Sequence, residues 1–208
     1  MEKAMNRTWV PSVVKKAYNG IREVQLRTEH LTNRKVFLTG GIDSELADEF
    51  LQQMMFLAQE GKAPVDVYIN SLGGEIEAGL MIYDILQGIG IPTNLICTGT
   101  AASMAAIILA SGEKGRRFIL PHSKTMIHEP LLRGGVGGSA TSIRNLSESI
   151  LETRDLVNNL LAEHTGRSLA EVNEATSYDH YMNAEESIAF GLCDKIISNP
   201  LDVASVAK

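Results

Sequence analysis

At 208 residues, 44% of them hydrophobic, the chain can bury a full core as one domain, and a formal charge of −6 with no basic run speaks against a nucleic-acid partner. Its apolar stretches break well short of the ~20 residues a membrane span needs, and the N-terminus has no signal-peptide apolar region, so a soluble, cytoplasmic protein with no membrane association is expected. Cys97 and Cys193 lie in apolar runs without C-x-x-C or metal-ligand spacing, which reads as two core residues in a reducing compartment and no metal site.

Residues 1–8 are polar, and Trp9-Val10-Pro11-Ser12-Val13-Val14 is an apolar patch ahead of a basic turn containing Gly20. Such a patch on an arm packs on something, often a neighbouring subunit. Val36 to Thr39 reads as the first core strand. Asp43 then caps a helix running to about Glu60, with Leu46, Phe50, Leu51, Met54, Leu57 and Ala58 recurring at helical spacing. The next unit repeats this order: Val65 to Ile69 as a strand, Asn70-Ser71-Leu72-Gly73-Gly74-Glu75 as a turn, and Ala78 to Ile89 as a helix. Paired glycines at a strand end let a ligand approach the backbone and can present N–H groups to it, although a plain tight turn needs them too. A phosphate loop is disfavoured, because neither Gly73-Gly74 nor Gly112-Glu113-Lys114-Gly115 fits G-x-x-x-x-G-K-[ST].

Ser103 stands where the apolar strand Leu95 to Thr98 gives way, after Gly99-Thr100-Ala101-Ala102, to the buried helix Met104 to Ala110. A hydroxyl at a helix N-terminus faces free backbone N–H groups and the positive end of the helix dipole, which suits a nucleophile that generates an oxyanion. Most serines at such junctions only cap the helix, so partners elsewhere must decide. Two short strands follow, Arg117 to Leu120 and Lys124 to Ile127, the second ending in His128-Glu129-Pro130. The repeated strand, turn and helix describe an α/β domain whose strands deliver side chains at their C-terminal ends, and residues 72–74, Ser103 and His128 all fall there. Of the five histidines, His30 is in the arm, His122 is in a turn, His164 closes a helix where it favours the dipole, and His180 is in a polar loop. His128 alone follows an apolar strand, as a general base for Ser103 would.

Leu131 to Gly138 is glycine-rich and expected to be mobile. From Ser139 or Thr141 to His164 a helical pattern carries Ile143, Leu146, Ile150, Val157 and Leu160, with Gly166 as its stop. Its length, about 36 Å at 1.5 Å per residue, exceeds what covering its own sheet requires, so its apolar stripe is expected to meet another copy. Ser168 to Ala175 is a short helix, Asp179 sits in a polar turn between aromatics, and Ala184 to Phe190 precedes a closing strand over 193–197.

Gly99-Thr100-Ala101-Ala102-Ser103-Met104-Ala105, Met126-Ile127-His128-Glu129-Pro130, Asn70-Ser71-Leu72-Gly73-Gly74 and Asp179-His180-Tyr181-Met182-Asn183-Ala184-Glu185-Glu186 resemble, in order and spacing, the signature segments of the Clp protease proteolytic subunit, the ClpP peptidases. The resemblance runs from about Val10 to Ile197. It implies one peptidase domain over 1–208 in a ClpP/crotonase-like α/β fold of repeated ββα units, with 1–34 as N-terminal arm and axial segment and 131–165 as the handle region with its long projecting helix. Ser103 is implied as nucleophile, His128 as general base and acid, and Asp179 as the group that orients the imidazole. Gly73 and Met104 are implied as the oxyanion-hole N–H donors, and Gly74, Leu131, Leu132 and Gly134 as substrate-binding positions. The implied protein is an ATP-dependent serine endopeptidase that cuts unfolded polypeptides inside a homo-oligomer of two stacked heptameric rings. An AAA+ unfoldase such as ClpX, ClpA or ClpC feeds it and uses the ATP, so this chain needs no cofactor.

Ile150 and Val157 are expected on the ring-joining stripe. The chain departs from the family's usual pattern with Leu72 for Pro, Glu129 for Gln and Tyr178 for Arg. In the pocket for the ATPase loops Asp66, Gly88 and Thr98 replace apolar residues, while Tyr68, Ile96, Phe118 and Leu120 stay apolar. Two other readings share features with this one: a crotonase-like acyl-CoA enzyme, which has no use for a triad, and a paralogous subunit active only in a mixed ring.

Overall fold

The computed structural model describes residues 11–18, 20–132, 137–201 and 203. An antiparallel hairpin comes first, β1 (Ser12–Ala17) paired with β2 (Gly20–Gln25), then a single helical stretch, α1 (Leu26–Thr32), with no buried residue. The turn expected near Gly20 is there. The strands flanking it are not legible as such, because both faces are largely exposed and no apolar alternation marks them. Trp9 and Val10 of the expected patch lie outside the described residues.

The domain proper alternates strands and helices: β3 (Lys35–Thr39), α2 (Ser44–Glu60), β4 (Val65–Ser71), α3 (Ile76–Gly88), β5 (Thr93–Ala102) and α4 (Met104–Ala110). Then come β6 (Arg117–Ile119), β7 (Lys124–Ile127), α5 (Ala140–Thr165), α6 (Leu169–Thr176), β8 (His180–Met182), α7 (Ala184–Phe190) and β9 (Lys195–Ile196). The fold is mixed α/β, and in the seven-stranded sheet of β3 to β9 neighbouring strands are parallel except where β8 runs antiparallel to β7. Asp43 caps α2 through its side chain to Leu46 N (2.9 Å), as its position before the apolar period predicts.

The centre of the sheet is β5, which has β4 on one side and two successive partners on the other. Its first half pairs with β6 over Leu95 to Cys97, and its second half with β7 over Thr100 to Ala102. The change of partner falls at Gly99, where the β4 register also slips between Ile69 and Ser71. Asn70 fills that slip: its Oδ1 accepts the Thr100 N–H at 3.1 Å, and a Cβ on Gly99 would come within 2.5 Å of the same oxygen. The main core lies against one sheet face, with every residue of α4 buried in it. A smaller cluster of Tyr68, Ile96, Phe118, Ile197 and Val203 covers the other face.

The long helix α5 is present, and its two halves differ. Residues 140–149 are exposed, whereas Val157 (3% exposed), Asn158 and Leu161 are buried in this chain's own core. Val157 therefore does not belong to a stripe open to another copy. Helical periodicity registers an apolar face without saying which surface covers it. Ile143, Leu146, Leu151 and Leu156 are the apolar residues that stand exposed. His164 is also corrected: burial pushes its imidazole below the usual range, toward the neutral form, and its Nε2 lies 2.8 Å from the Tyr83 hydroxyl. Its own carbonyl, near the end of α5, is served by Lys114 Nζ (2.6 Å) and Arg117 (3.1 Å).

Arg117 is the largest fully buried side chain among the described residues, and its guanidinium clasps the ends of several elements. It donates to the carbonyls of Ala110, His164 and Gly191 and to both Asp194 carboxylate oxygens, Nε to Oδ2 at 3.0 Å. Burial alone would raise the Asp194 carboxyl, but the guanidinium with the Gly115 and Arg117 N–H groups outweighs it and holds the carboxyl below its ordinary value. Because the folded-state value is depressed, the stabilisation is fully present above the ordinary carboxylate value of about 4 and is lost as pH falls through the lower folded value. Asp194→Asn is expected to cost roughly 3–5 kcal/mol at pH 7 by leaving Arg117 uncompensated. In denaturant unfolding the gap from wild type should hold from pH 7 to about 4 and close below that.

Candidate active site

At the junction of β5 and α4 the backbone makes a turn that a side chain other than glycine rarely accepts: Ser103 has φ 55° and ψ −127°. Three contacts hold it there. Its N–H donates to Met126 O of β7 at 2.8 Å, its carbonyl accepts from Ala106 N and Ile107 N, and Gly73 is pressed against it. Gly73 itself has φ +85°, and a Cβ on it would lie 2.7 Å from both Ala102 O and Ser103 Cβ. The Ser103 hydroxyl does not cap α4, so the commonest role for a serine in this position is not the one it takes. Instead Oγ lies 2.9 Å from His128 Nε2.

His128 reaches Ser103 because β7 pairs with the second half of β5 and ends just beyond Met126. Its neighbour Glu129 is fixed by an N–H bond to Thr176 O (2.8 Å), which ties this loop to the C-terminus of α6. The pairing of β7 with β8 places His180 opposite Ile127, so the residue before β8, Asp179, falls beside His128. His128 Nδ1 lies 3.2 Å from Asp179 Oδ1. A carboxylate can only accept, so Nδ1 carries the hydrogen and Nε2 is left to accept the Ser103 hydroxyl proton. The His128 side chain is 15% exposed and that of Asp179 62%. Thus hydroxyl, imidazole and carboxylate form one hydrogen-bonded chain that can draw a proton from Oγ as it attacks an electrophile.

The glycine turn differs in one respect from the expectation. Gly73 is buried and its N–H is already donated to Ser71 Oγ at 3.0 Å, so the donor expected there is occupied. Gly74 is exposed, and its N–H has no acceptor among the described residues. The Gly73 carbonyl accepts from Ile42 N (3.0 Å) and Ile42 O from Glu75 N (2.8 Å), and a Cβ on Gly74 would come 2.0 Å from Ile42 O. Met104, first residue of α4, has an N–H with no intrahelical acceptor. Ser71 and Ile42 are thus neighbours of the site that sequence reasoning missed, the only signal being a serine two residues before the first glycine.

Leu131 and Leu132 follow the His128 loop and are exposed, while Gly134 lies outside the described residues. Three of the other histidines are engaged elsewhere, His164 with the Tyr83 hydroxyl. His30 packs edge-on against Phe37, and His180 lies in β8 between Tyr178 and Phe190 rather than in a loop. Among the described residues no group of His, Cys, Asp or Glu is placed to hold a metal ion, and no helix is long and apolar enough to cross a membrane.

A family model described as Clp protease matches residues 18–200. The chain belongs to that family and is a ClpP-type peptidase.

The strained Ser103 backbone has a measurable cost. Ser103→Gly is expected to unfold at higher denaturant than Ser103→Ala by about 1–3 kcal/mol, because glycine alone accepts a φ of 55° with that ψ.

Proposed function

We propose that this ClpP-type peptidase is a serine endopeptidase in which Ser103 Oγ attacks the scissile carbonyl while His128 Nε2 takes the proton. Asp179 holds the imidazole with Nδ1 protonated and stabilises the imidazolium. His128 then returns the proton to the leaving amine, and a water activated by the same imidazole hydrolyses the Ser103 ester. The negative oxygen of each tetrahedral intermediate is met by the N–H groups of Gly74 and Met104, with the α4 dipole behind them. The observation that carries this reading is the Ser103 hydroxyl itself, withheld from capping α4 and bonded to His128 at 2.9 Å.

Gly74, Leu131 and Leu132 are assigned to the substrate, Gly74 by its exposed backbone and the leucines by apolar contact. The exposed Ile143, Leu146, Leu151 and Leu156 on α5 support assembly into two stacked heptameric rings, where access by an extended chain requires an unfolding AAA+ ATPase. The reduced, buried Cys97 and Cys193 fit a cytoplasmic setting.

Hydrolysis of a short fluorogenic peptide tests the roles. Ser103→Ala and His128→Ala are each expected to lower kcat by ~10⁴–10⁶ with KM little changed, and Asp179→Asn by a smaller factor. Retention of a tenth or more of wild-type kcat by Ser103→Ala would remove the nucleophile from the proposal.

A further inference from the structure

We infer that Ser71 is a positioning residue for catalysis, its hydroxyl holding the Gly73–Gly74 peptide so that the Gly74 N–H faces the nucleophile. This inference rests on the serine-peptidase reading above and names a residue that reading does not use.

The argument starts from the peptide plane. In a trans peptide the C=O and the following N–H point in opposite directions, so whatever holds the Gly73 carbonyl also aims the Gly74 N–H. Ile42 N holds that carbonyl at 3.0 Å, turning the Gly74 N–H away from Ile42 toward the exposed side of the turn. One hydrogen bond does not fix a glycine, whose φ and ψ are the freest of any residue. The second restraint is on the other side of Gly73, where its N–H is donated to Ser71 Oγ at 3.0 Å. Both groups are buried, so the bond has no water to compete with it, and losing it strands a buried donor. With N–H and C=O both tied, Gly73 stays at φ +85°, so close to the nucleophile that a Cβ on it would lie 2.7 Å from Ser103 Cβ and 3.1 Å from Met104 N. The same pair of bonds that aims the Gly74 donor therefore also presses the turn against the nucleophile and the second donor.

Ser71 is held in its turn, at the end of β4, where its register partner is Ala101 of β5. Rotation of the Gly73–Gly74 peptide would exchange an N–H for a C=O at the place where negative charge develops, a repulsive substitution for the transition state but not for a bound peptide. The Ser71 hydroxyl restrains this rotation, so its loss should appear in kcat rather than in KM.

The test is steady-state hydrolysis of a short fluorogenic peptide by the assembled full-length protein, with inhibition by a peptidyl boronate, whose tetrahedral adduct engages the same donors. Ser71→Ala is expected to lower kcat about 10-fold or more with KM within about twofold, and to weaken the boronate in proportion to kcat/KM. Ser71→Thr, which keeps the hydroxyl, should recover most of both. Ser71→Cys, close in size but a weak acceptor, should behave like Ser71→Ala and serves in its place if the alanine protein does not fold. Wild-type kcat in a folded Ser71→Ala or Ser71→Cys protein would overturn the inference, as would a fall in kcat with boronate affinity unchanged. Wild-type protein that cleaves no peptide and takes up no boronate would instead overturn the serine-peptidase reading, and this inference with it.

Discussion

Ser103 can meet His128 only because its backbone is held where a serine does not rest willingly. A φ of 55° with ψ of −127° turns the chain sharply from β5 into α4 and lifts the hydroxyl off the helix it would otherwise cap. Such a conformation persists only when its surroundings over-determine it. Here a parallel strand takes the N–H, the first turn of α4 takes the carbonyl, and the absence of a Cβ at Gly73 makes room for the rest. Each of these supports comes from a different segment, so the site depends on the packed domain and not on the local motif.

The split pairing of β5 supplies most of that dependence. By leaving β6 for β7 at Gly99, it brings the strand that ends in His128 alongside the strand that ends in Ser103. The short antiparallel β8 then carries Asp179 to the far side of the imidazole. The whole of α4 is buried, and Arg117 ties its last turn to the ends of α5 and α7, which keeps the Ser103 turn on a rigid base. Stability is thus spent in one place, at Ser103, and recovered around it.

Much of this was legible in the sequence, for identifiable reasons. The core strands and helices carry apolar runs or a 3.6-residue period with Gly, Asp or Ser at their ends, so the alternation from β3 to α6 could be read directly. Ser103 and His128 stood out by position, at the ends of apolar strands, whereas Asp179, in a polar turn, was marked only by resemblance to one family. What was not legible depends on non-local contacts. The hairpin β1–β2 and helix α1 bury little and so leave no pattern, and β8 is three residues long. Val157 sits on the same stripe as Leu146, yet only Val157 is covered by its own chain. Which of two adjacent glycines offers a free N–H was decided by a serine hydroxyl and by Ile42, some thirty residues earlier in the chain, and spacing alone does not report either contact.

The central claim is that Ser103 is an activated nucleophile in this chain as it folds. Intact-mass spectrometry after exposure to a fluorophosphonate probe, run on wild type and on Ser103→Ala, addresses it with no assumption about substrate or ATPase partner. A single adduct per chain on the wild type, absent from Ser103→Ala, is the result the geometry predicts. An unmodified wild-type protein, or an adduct that survives the substitution, would contradict it.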